Sequence, residues 1–581
     1  MNFNSLHFLI YLPVVLIVYW LLPQKARWVW LLAASYYFYM SWNAWLVFLI
    51  AGTTGVSYAA ALLIERTQSK RVKKFWLAAT LVVCLGVLVF FKYFNFLLQS
   101  AIDFLNLFSM GIDSFALDIL LPVGISFYTF QTLSYVIDVY RGDFRAEKHF
   151  GYYALFVSYF PQLVAGPIEK PGDLIPQLRA VHKLNGEDMA AGMRILLGGF
   201  FRKCVVADFC GIYVNNVFSR IGEADSLSIL MAGGLFCIQM YCDFAGYSEI
   251  ATGAARMMGV RLTKNFDRPY LSMSYTEFFR RWHISLNRWF TQYLYIPLGG
   301  SRKGKARKIV NVVIVFSLCG LWHGANWTYL LWGLYAAFFV GLESLFLPPF
   351  EAFAKRKGLS ENPAFRLLRR VVMFAVFIPA ALLFRAQSLS EAWLAVSGIF
   401  TRFAFLPAAF AFVGLDALTF AQIALSIVCM GMVWHFGRER QDGEVVDSHA
   451  LAASEGAFLV ADVTGGAAQP VPAGMQPAPA GMQPVPAEMQ TISAAMQPAP
   501  AEMQTIPAAM QPVPAGMQPA PATARAPSAM QMIPAARGQM AGGRSAWEEV
   551  SAHAFLILSV MVCWLAFLAS NDASTFAYFQ F

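Results

Sequence analysis

The sequence carries little charge. Only 13% of its 581 residues are Asp, Glu, Lys or Arg, whereas 58% are hydrophobic. A soluble domain keeps about a quarter of its residues charged, so this scarcity excludes an ordinary soluble fold and indicates that lipid is the main solvent. Long uncharged stretches include 6–23, 75–91 and 309–342. A helix of about 20 apolar residues crosses the hydrocarbon core, and roughly ten to twelve stretches meet that requirement. We therefore predict an all-α, polytopic membrane protein.

Positive charge is concentrated in short loops between these stretches. The net charge is +9, and basic clusters such as 66–74 are placed on the cytoplasmic side by the positive-inside rule, with Met1 outside. Lys25 and Arg27 follow the first apolar stretch, the reverse of the charge order in a cleavable signal peptide. No basic face is interleaved with exposed aromatic residues, so no nucleic acid is expected as a partner.

Motifs of several common chemistries are absent. The eight cysteines include no C-x-x-C pair, and most lie in apolar stretches, as is typical of buried thiols that act as small apolar side chains. No G-x-S-x-G elbow and no H-E-x-x-H zinc motif occurs, and we expect no metal site. The stretch 299–306 superficially matches a phosphate-binding loop, but Ala306 replaces the Ser or Thr that would bind Mg²⁺. We interpret it as a basic cytoplasmic turn.

Three regions differ in composition. Residues 1–440 form a dense membrane body, residues 441–546 are rich in Ala, Pro, Met and Gln, and residues 547–581 return to an apolar span. In the middle region Met-Gln recurs with a seven-residue period from Met475 to Met517. A heptad suggests a coiled coil, but a proline in nearly every repeat removes helical hydrogen bonds and clashes with the preceding turn. The segment is therefore predicted to be an extended, disordered linker without a catalytic role.

The charge-free run 309–342 is too long for one relaxed membrane helix. Basic clusters at 302–308 and 355–357 flank it, and two basic ends favour the same side of the membrane. We therefore predict a hairpin with its break at 320–326, where His323 lies. Irregular backbone at membrane depth is stable only where it is buried in protein or lines a wet cavity. His323 is accordingly either a site residue or a hydrogen-bonded packing residue.

A second histidine lies in the amphipathic stretch 277–290. At helical spacing His283, Asn287 and Phe290 share one face, beside an apolar stripe of tryptophan and leucine. Such a helix would lie in the membrane interface or pack shallowly, with its arginines near phosphates or an acidic donor. The alternative is that His283 is a polar residue tolerated at the interface and that the tryptophans are core packing.

The apolar stretch 227–260 contains ionisable residues, among them Asp243 and Glu249. Ionisable residues inside a membrane are costly and tend to face a cavity or a partner. These two carboxylates therefore either line a substrate passage or pair with an arginine from another helix.

Five stretches together resemble the membrane-bound O-acyltransferase family. They are Leu121-Pro-Val-Gly-Ile-Ser-Phe-Tyr-Thr-Phe-Gln-Thr-Leu-Ser-Tyr135, Phe160-Pro-Gln-Leu-Val-Ala-Gly-Pro-Ile168, Asp243-Phe-Ala-Gly-Tyr-Ser-Glu249, Arg280-Arg-Trp-His-Ile-Ser-Leu286 and Leu321-Trp-His-Gly-Ala-Asn-Trp327. The similarity covers nearly all of 1–440 and the final span, whose Tyr578-Phe-Gln-Phe581 resembles the alginate acetylase-like branch. The repeat region departs from the family's pattern and affects no catalytic position.

The resemblance implies that His323 fills the family's catalytic histidine position and that His283 fills its second polar position. It also implies re-entrant or interfacial helices in addition to the spanning ones, arranged around a central funnel. Substrate contacts are expected from Asn287, Trp322, Asn326, Asp243, Glu249 and Arg281.

The activity that the resemblance implies is acyl transfer to an exported, alginate-like envelope polysaccharide. A neutral imidazole can accept the proton of a sugar hydroxyl as it attacks a thioester, so His323 is the expected general base. No cofactor is expected to be bound, and the acetyl donor would be acetyl-CoA or a carrier thioester. The expected partners are the polysaccharide, the bilayer of a bacterial inner membrane, and periplasmic or membrane proteins of an acetylation complex. The alternatives are D-alanyl transfer to teichoic acid, a polysaccharide or ion transporter, and a scaffold for an envelope synthase.

Overall fold

The computed structural model describes residues 1–404 and 406–415, together with residues 419 and 421. Helices dominate this part of the chain, and no strand occurs among the described residues. Lipid imposes this architecture, because a helix satisfies its backbone hydrogen bonds within one segment. The all-α prediction is therefore confirmed. The predicted linker at 441–546 and the final span at 547–581 lie outside the described residues, so both stay predictions.

The helices follow one another in three groups along the chain. The first group is α1 (Leu6–Leu21), α2 (Gln24–Met40), α3 (Leu46–Arg66), α4 (Lys70–Leu88) and α5 (Phe94–Asn106). The second group is α6 (Ile125–Arg141), α7 (Phe150–Ser158), α8 (Phe160–Leu163), α9 (Pro171–Arg179), α10 (Gly186–Phe200), α11 (Asp208–Phe218), α12 (Ser226–Met257), α13 (Tyr275–Arg281) and α14 (Ile284–Phe290). The third group is α15 (Lys305–His323), α16 (Trp327–Arg356), α17 (Pro363–Arg385), α18 (Leu389–Thr401) and α19 (Leu406–Val413). Turns of π-helix occupy Val89–Tyr93, Phe201–Ala207 and Thr291–Tyr295.

Within the described part of the chain, six helical segments are long and apolar enough to cross a membrane. They are Leu46–Arg66, Lys70–Asn106, Ser226–Met257, Lys305–His323, Trp327–Arg356 and Pro363–Arg385. The helices α1 and α18 are also apolar but shorter. A multi-pass membrane protein is therefore confirmed, whereas the total of about ten to twelve spans stays a prediction.

Helix α12 lies at the centre of the packing and contacts α8, α10, α11, α17, α18 and α19. It approaches α10 so closely that a Cβ at Gly199 would lie 2.6 Å from the carbonyl oxygen of Gly246, and a Cβ at Gly192 would lie 2.7 Å from that of Gly253. Small residues permit such backbone contact between membrane helices. Of the two ionisable residues singled out in this stretch, Asp243 is buried and Glu249 is half-buried.

The hairpin predicted at 309–342 is confirmed. Helix α15 ends at His323, α16 begins at Trp327, and the two helices pack against each other. A Cβ at Gly320 would overlap the carbonyl oxygen of Tyr329 on α16. Gly320 therefore permits tight helix packing just before the break.

The stretch 277–290 is two short helices, α13 and α14, and the prediction of one amphipathic helix is wrong. His283 lies between them with φ of 45°, in the left-handed region that side chains other than glycine rarely adopt. Asn287 stabilises this break, because its Nδ2 donates to the carbonyl oxygens of Trp282 at 2.6 Å and Phe279 at 2.7 Å. His283 and Asn287 therefore do not share the face of a continuous helix.

Candidate active site

His323 is the last residue of α15 and is half-buried. Its ring packs edge-on against Trp332 and Phe384, with ring centroids 5.3 Å apart in each pair. The neighbouring Trp322 ring lies 5.0 Å from it. These aromatic contacts orient the imidazole, and the residue as a whole remains partly exposed.

His283 contacts the same indole ring from a distant part of the chain. Its centroid lies 5.9 Å from the Trp322 ring, and Phe244 of α12 packs edge-on against it at 4.6 Å. The side chain is 1% exposed. The structure therefore brings the two histidines predicted from the sequence to one tryptophan.

Two of these buried rings have nitrogen atoms without a hydrogen-bond partner among the residues that the structure describes. Neither ring nitrogen of His283 forms a hydrogen bond with another described residue, and Nε1 of Trp322 has no such partner either. An unsatisfied buried polar group costs about 1–3 kcal/mol, so few are retained in native proteins. Burial, and secondarily the nearby His323, lowers the pKa of His283 well below its ordinary value. The neutral imidazole can therefore donate one hydrogen bond to a ligand and accept another.

Aromatic residues of α6 form one wall of this cluster. The Phe127 ring lies 5.3 Å from Trp322 and 6.4 Å from His283. Phe130, one turn further along, lies 5.7 Å from Trp322 and stacks on Trp289 at 3.7 Å. Trp289 also donates from Nε1 to the carbonyl oxygen of Phe130 at 2.9 Å. The half-buried Trp289 thus joins α14 to α6 by ring stacking and a hydrogen bond.

The segment 160–168 is hydrogen-bonded to the residues that follow His283. The backbone N–H of Ile168 donates to the hydroxyl of Ser285 at 3.0 Å, two residues after His283. Ser285 in turn donates to Oδ1 of Asn265 at 2.8 Å. All five stretches that carry the family resemblance are therefore brought together around the two histidines.

The charged candidates on α12 form ion pairs. Asp243 lies 3.0 Å from the ammonium of Lys203, and Glu249 pairs with Arg202; both cations belong to the π-helical turn Phe201–Ala207. Lys203 also binds Asp208 at 2.5 Å. Both carboxylates therefore pair with basic residues, as the second of the two interpretations proposed, although the partner of Asp243 is a lysine.

The remaining polar candidates are bound within the protein. Arg281 forms an ion pair with Glu277 at 2.8 Å. Asn326 is the N-cap of α16: its Oδ1 accepts from the backbone of Thr328 at 3.1 Å, and its Nδ2 donates to the carbonyl oxygen of Gln387 at 2.7 Å. Asn287 uses both amide protons at the break beside His283, as described above. These contacts give each residue a structural role.

Two residues that the sequence analysis did not select lie against the end of α15. The ammonium of Lys92 donates to the carbonyl oxygens of Trp322 at 2.5 Å and His323 at 3.2 Å. The hydroxyl of Tyr93 donates to the carbonyl oxygen of Leu321 at 2.7 Å. The sequence did contain a signal for Lys92, which directly follows the uncharged run 75–91. A charged residue within an apolar membrane segment is usually kept for a function.

Among the residues that the structure describes, no group of three His, Cys, Asp or Glu side chains is placed to hold a metal ion.

Comparisons with known proteins support the resemblance. The family model described as "MBOAT, membrane-bound O-acyltransferase family" matches residues 148–384, which include both histidines. The protein named "Probable alginate O-acetylase AlgI" in Pseudomonas aeruginosa is 38% identical over 408 residues, covering 69% of this chain and 75% of that protein. The peptidoglycan O-acetyltransferase of Helicobacter pylori is 32% identical over 422 residues, covering 67% and 77%. The teichoic acid D-alanyltransferase of Bacillus subtilis is 26% identical over 224 residues, covering 37% and 57%.

Proposed function

The chain belongs to the membrane-bound O-acyltransferase family, and from this premise we propose that it acetylates an exported, alginate-like cell-envelope polysaccharide. It is an O-acyltransferase with several membrane-spanning helices. The acetyl group and the polymer are proposed because two relatives are named as acetylases of alginate and peptidoglycan. The proposed location is a bacterial inner membrane, with periplasmic or membrane partner proteins completing an acetylation complex.

The meeting of His323, Trp322 and His283 is the observation that supports this chemistry best. Aromatic rings surround two imidazoles: that of His323, which is half-buried, and that of His283, whose nitrogens form no hydrogen bond with another described residue. A site walled by apolar rings strengthens hydrogen bonds to a developing charge. It also limits hydrolysis of an activated acyl group by water.

The proposed reaction uses His323 as the general base. The imidazole takes the proton of a sugar hydroxyl while the hydroxyl oxygen forms a bond to the acyl carbonyl carbon. The carbon–sulfur bond of the donor thioester then breaks, and the leaving thiolate takes the proton from the imidazolium. His283 donates a hydrogen bond to the carbonyl oxygen, on which negative charge develops. Asn287 is not assigned this role, because its amide protons are bound to the backbone.

The donor and acceptor are proposed to approach from opposite sides of the membrane. Helix α15 starts at a basic cluster and has 19 residues, a length of about 28 Å. Because the hydrocarbon core is about 30 Å thick, His323 would lie near the outer end of this helix. An exported polymer would meet His323 from outside, while acetyl-CoA or a carrier thioester would extend from the cytoplasm.

Mass spectrometry of envelope polymers tests this function directly. Cells that lack the protein, complemented with the wild-type chain, should carry acetyl esters on the polymer. The His323→Ala variant, inserted at the same level, should lose them, with a decrease of at least about 10²–10⁴-fold for loss of a general base. Near-normal acetylation by this variant would refute the proposed mechanism.

The same spectra distinguish the alternative substrates. D-alanyl esters in place of acetyl esters would indicate the activity named for the more distant teichoic acid relative. A transporter was suggested by the two carboxylates of α12, but both are bound in ion pairs with Lys203 and Arg202. Acyl transfer is therefore the activity that the site favours.

A further inference from the structure

We propose that Lys92 and Tyr93 are positioning residues that fix the last turn of α15, and with it the imidazole of His323. This inference rests on the proposed function, in which His323 is the base. It assigns a role to a pair of residues whose hydrogen bonds go to the backbone of α15 and to Ser126 of α6.

The end of α15 requires partners from elsewhere. The last four carbonyl oxygens of a helix have no partner within it. Here the carbonyl oxygen of Gly320 accepts only a long hydrogen bond, of 3.4 Å, from the backbone N–H of Gly324. The next three carbonyl oxygens, of Leu321, Trp322 and His323, accept hydrogen bonds from Lys92 and Tyr93 at 2.5–3.2 Å. Side chains of one helical segment thus bind the consecutive terminal carbonyls of another.

The bonding of the Lys92 ammonium excludes direct contact with a ligand. An ammonium has three protons to donate. They go to the carbonyl oxygens of Trp322 and His323 and to the hydroxyl of Ser126 at 3.3 Å. Ser126 lies in the first turn of α6, whose Phe127 touches both Trp322 and His283. Lys92 therefore connects α15 to the wall of the site, and no proton remains to bind substrate.

The positive charge of Lys92 lies at the C-terminal end of α15. The C-terminal end of a helix carries partial negative charge, which a nearby cation stabilises. No carboxylate in the described part of the chain forms an ion pair with Lys92, whereas Lys203 binds both Asp208 and Asp243. The helix end is thus the counter-charge of Lys92. An ionised group within a membrane span is costly and is usually kept for a function.

The backbone of this segment is unusual as well. Lys92 and Tyr93 end the π-helical turn Val89–Tyr93, which separates α4 from α5. A π-turn inside a helix is rare and is frequently found at a functional site. Here two adjacent residues at that turn bind the end of the same neighbouring helix.

Kinetics of three variants in membranes test the proposal. Lys92→Met keeps the length of the side chain but loses its charge and its donors. We expect kcat to fall about 100-fold, as for a base displaced by about 1 Å, while KM for the acetyl donor stays within about twofold. Lys92→Arg keeps the charge and several donors and should recover much of that loss. Tyr93→Phe removes one hydrogen bond and should lower kcat by about threefold to tenfold.

A matched control and a second measurement separate positioning from general stability. Tyr335→Phe also removes a hydroxyl that donates to a helix carbonyl, that of Val376 at 2.8 Å, and should leave kcat unchanged. Amide hydrogen exchange of residues 321–327 should speed up in Lys92→Met and Tyr93→Phe and stay unchanged in Tyr335→Phe. If Lys92→Met does not accumulate, Tyr93→Phe carries the same test.

The possible outcomes are distinct. Wild-type kcat together with wild-type exchange in Tyr93→Phe and Lys92→Met would overturn the positioning role. An unchanged kcat with a raised KM would also overturn it, because that pattern belongs to a binding residue. An active His323→Ala variant would instead refute the proposed function, and the exchange data would still decide whether Lys92 holds the end of α15.

Discussion

His283 combines three costs at a single residue. It has a left-handed backbone, it is 1% exposed, and its ring nitrogens have no partner in the described part of the chain. A strained backbone of this kind costs about 1–3 kcal/mol and clusters at functional sites. In the proposed reaction these costs are offset, because the imidazole binds the acyl carbonyl or the acceptor during transfer.

Two substitutions of His283 separate the ring from the backbone. His283→Ala should reduce acetylation about 100-fold, as for loss of one donor to a developing oxyanion. His283→Gly should be equally inactive but more stable than His283→Ala, because glycine adopts positive φ without strain. Acetyl transfer and thermal unfolding in detergent measure the two effects. Exposed His7 is the matched control, and His7→Ala should keep normal activity. Full activity of His283→Gly would make the residue a structural one.

At the scale of residues, the sequence identifies side chains whose chemistry is unusual for their setting. Two histidines in an apolar chain are visible in this way, and the structure brings both to Trp322. Lys92 is harder to interpret, because its partners are carbonyl oxygens about 230 positions away along the chain. The roles of Asn287 and Asn326 depend on where helices break, which residue type alone does not determine.

At the scale of elements, charge patterns predicted more than periodicity did. Basic clusters on both sides of 309–342 identified the hairpin, because charges at both ends restrict how the run can cross the membrane. The apolar period of 277–290 suggested one helix, but hydrophobic periodicity carries no information on a single left-handed residue. His283 interrupts the helix while the apolar spacing continues across the break.

The crossing of α15 and α16 offers a test at this scale. Gly320→Ala places a Cβ against the carbonyl oxygen of Tyr329, and overpacking of this kind costs about 1–3 kcal/mol. To relieve this overlap α15 must move relative to α16, which should displace His323, three residues later. We expect acetylation to fall about tenfold to 100-fold. Gly341→Ala in α16 is the matched control, because a Cβ there meets nothing within 4 Å. Equal activity of the two variants would show that the crossing does not position the site.

At the scale of the whole molecule, the topology decides how the substrates reach the site. If the basic clusters beside α15 and α16 are cytoplasmic, the connection at 324–326 lies toward the outside. A cysteine at Ala325, in a background without native cysteines, should therefore react with a membrane-impermeant thiol reagent added from outside. Cells and inside-out vesicles provide the two directions of labelling. Reaction only from the cytoplasmic side would reverse the topology and the proposed route of the acceptor.

That distant stretches of the chain meet at one site could be predicted only through the family resemblance. Five stretches spread over residues 121–327 meet around His323 and His283, and no local pattern indicates which of them touch. Membrane character could be derived from composition alone. With only 13% charged residues, the chain has too little charge for an ordinary soluble protein. The number of spans could not, since α1 and α18 are apolar but shorter than a membrane helix requires.

The central claim is that this chain transfers an acyl group with His323 as the base. Its most direct test is transfer of labelled acetyl by the purified full-length protein in liposomes. The donor, acetyl-CoA or the carrier thioester, is added on one side, and an acceptor oligosaccharide is added on the other. The account predicts labelled ester on the acceptor with the wild-type chain, and a rate lower by at least about 10²–10⁴-fold with His323→Ala. Equal rates for the two proteins would contradict it.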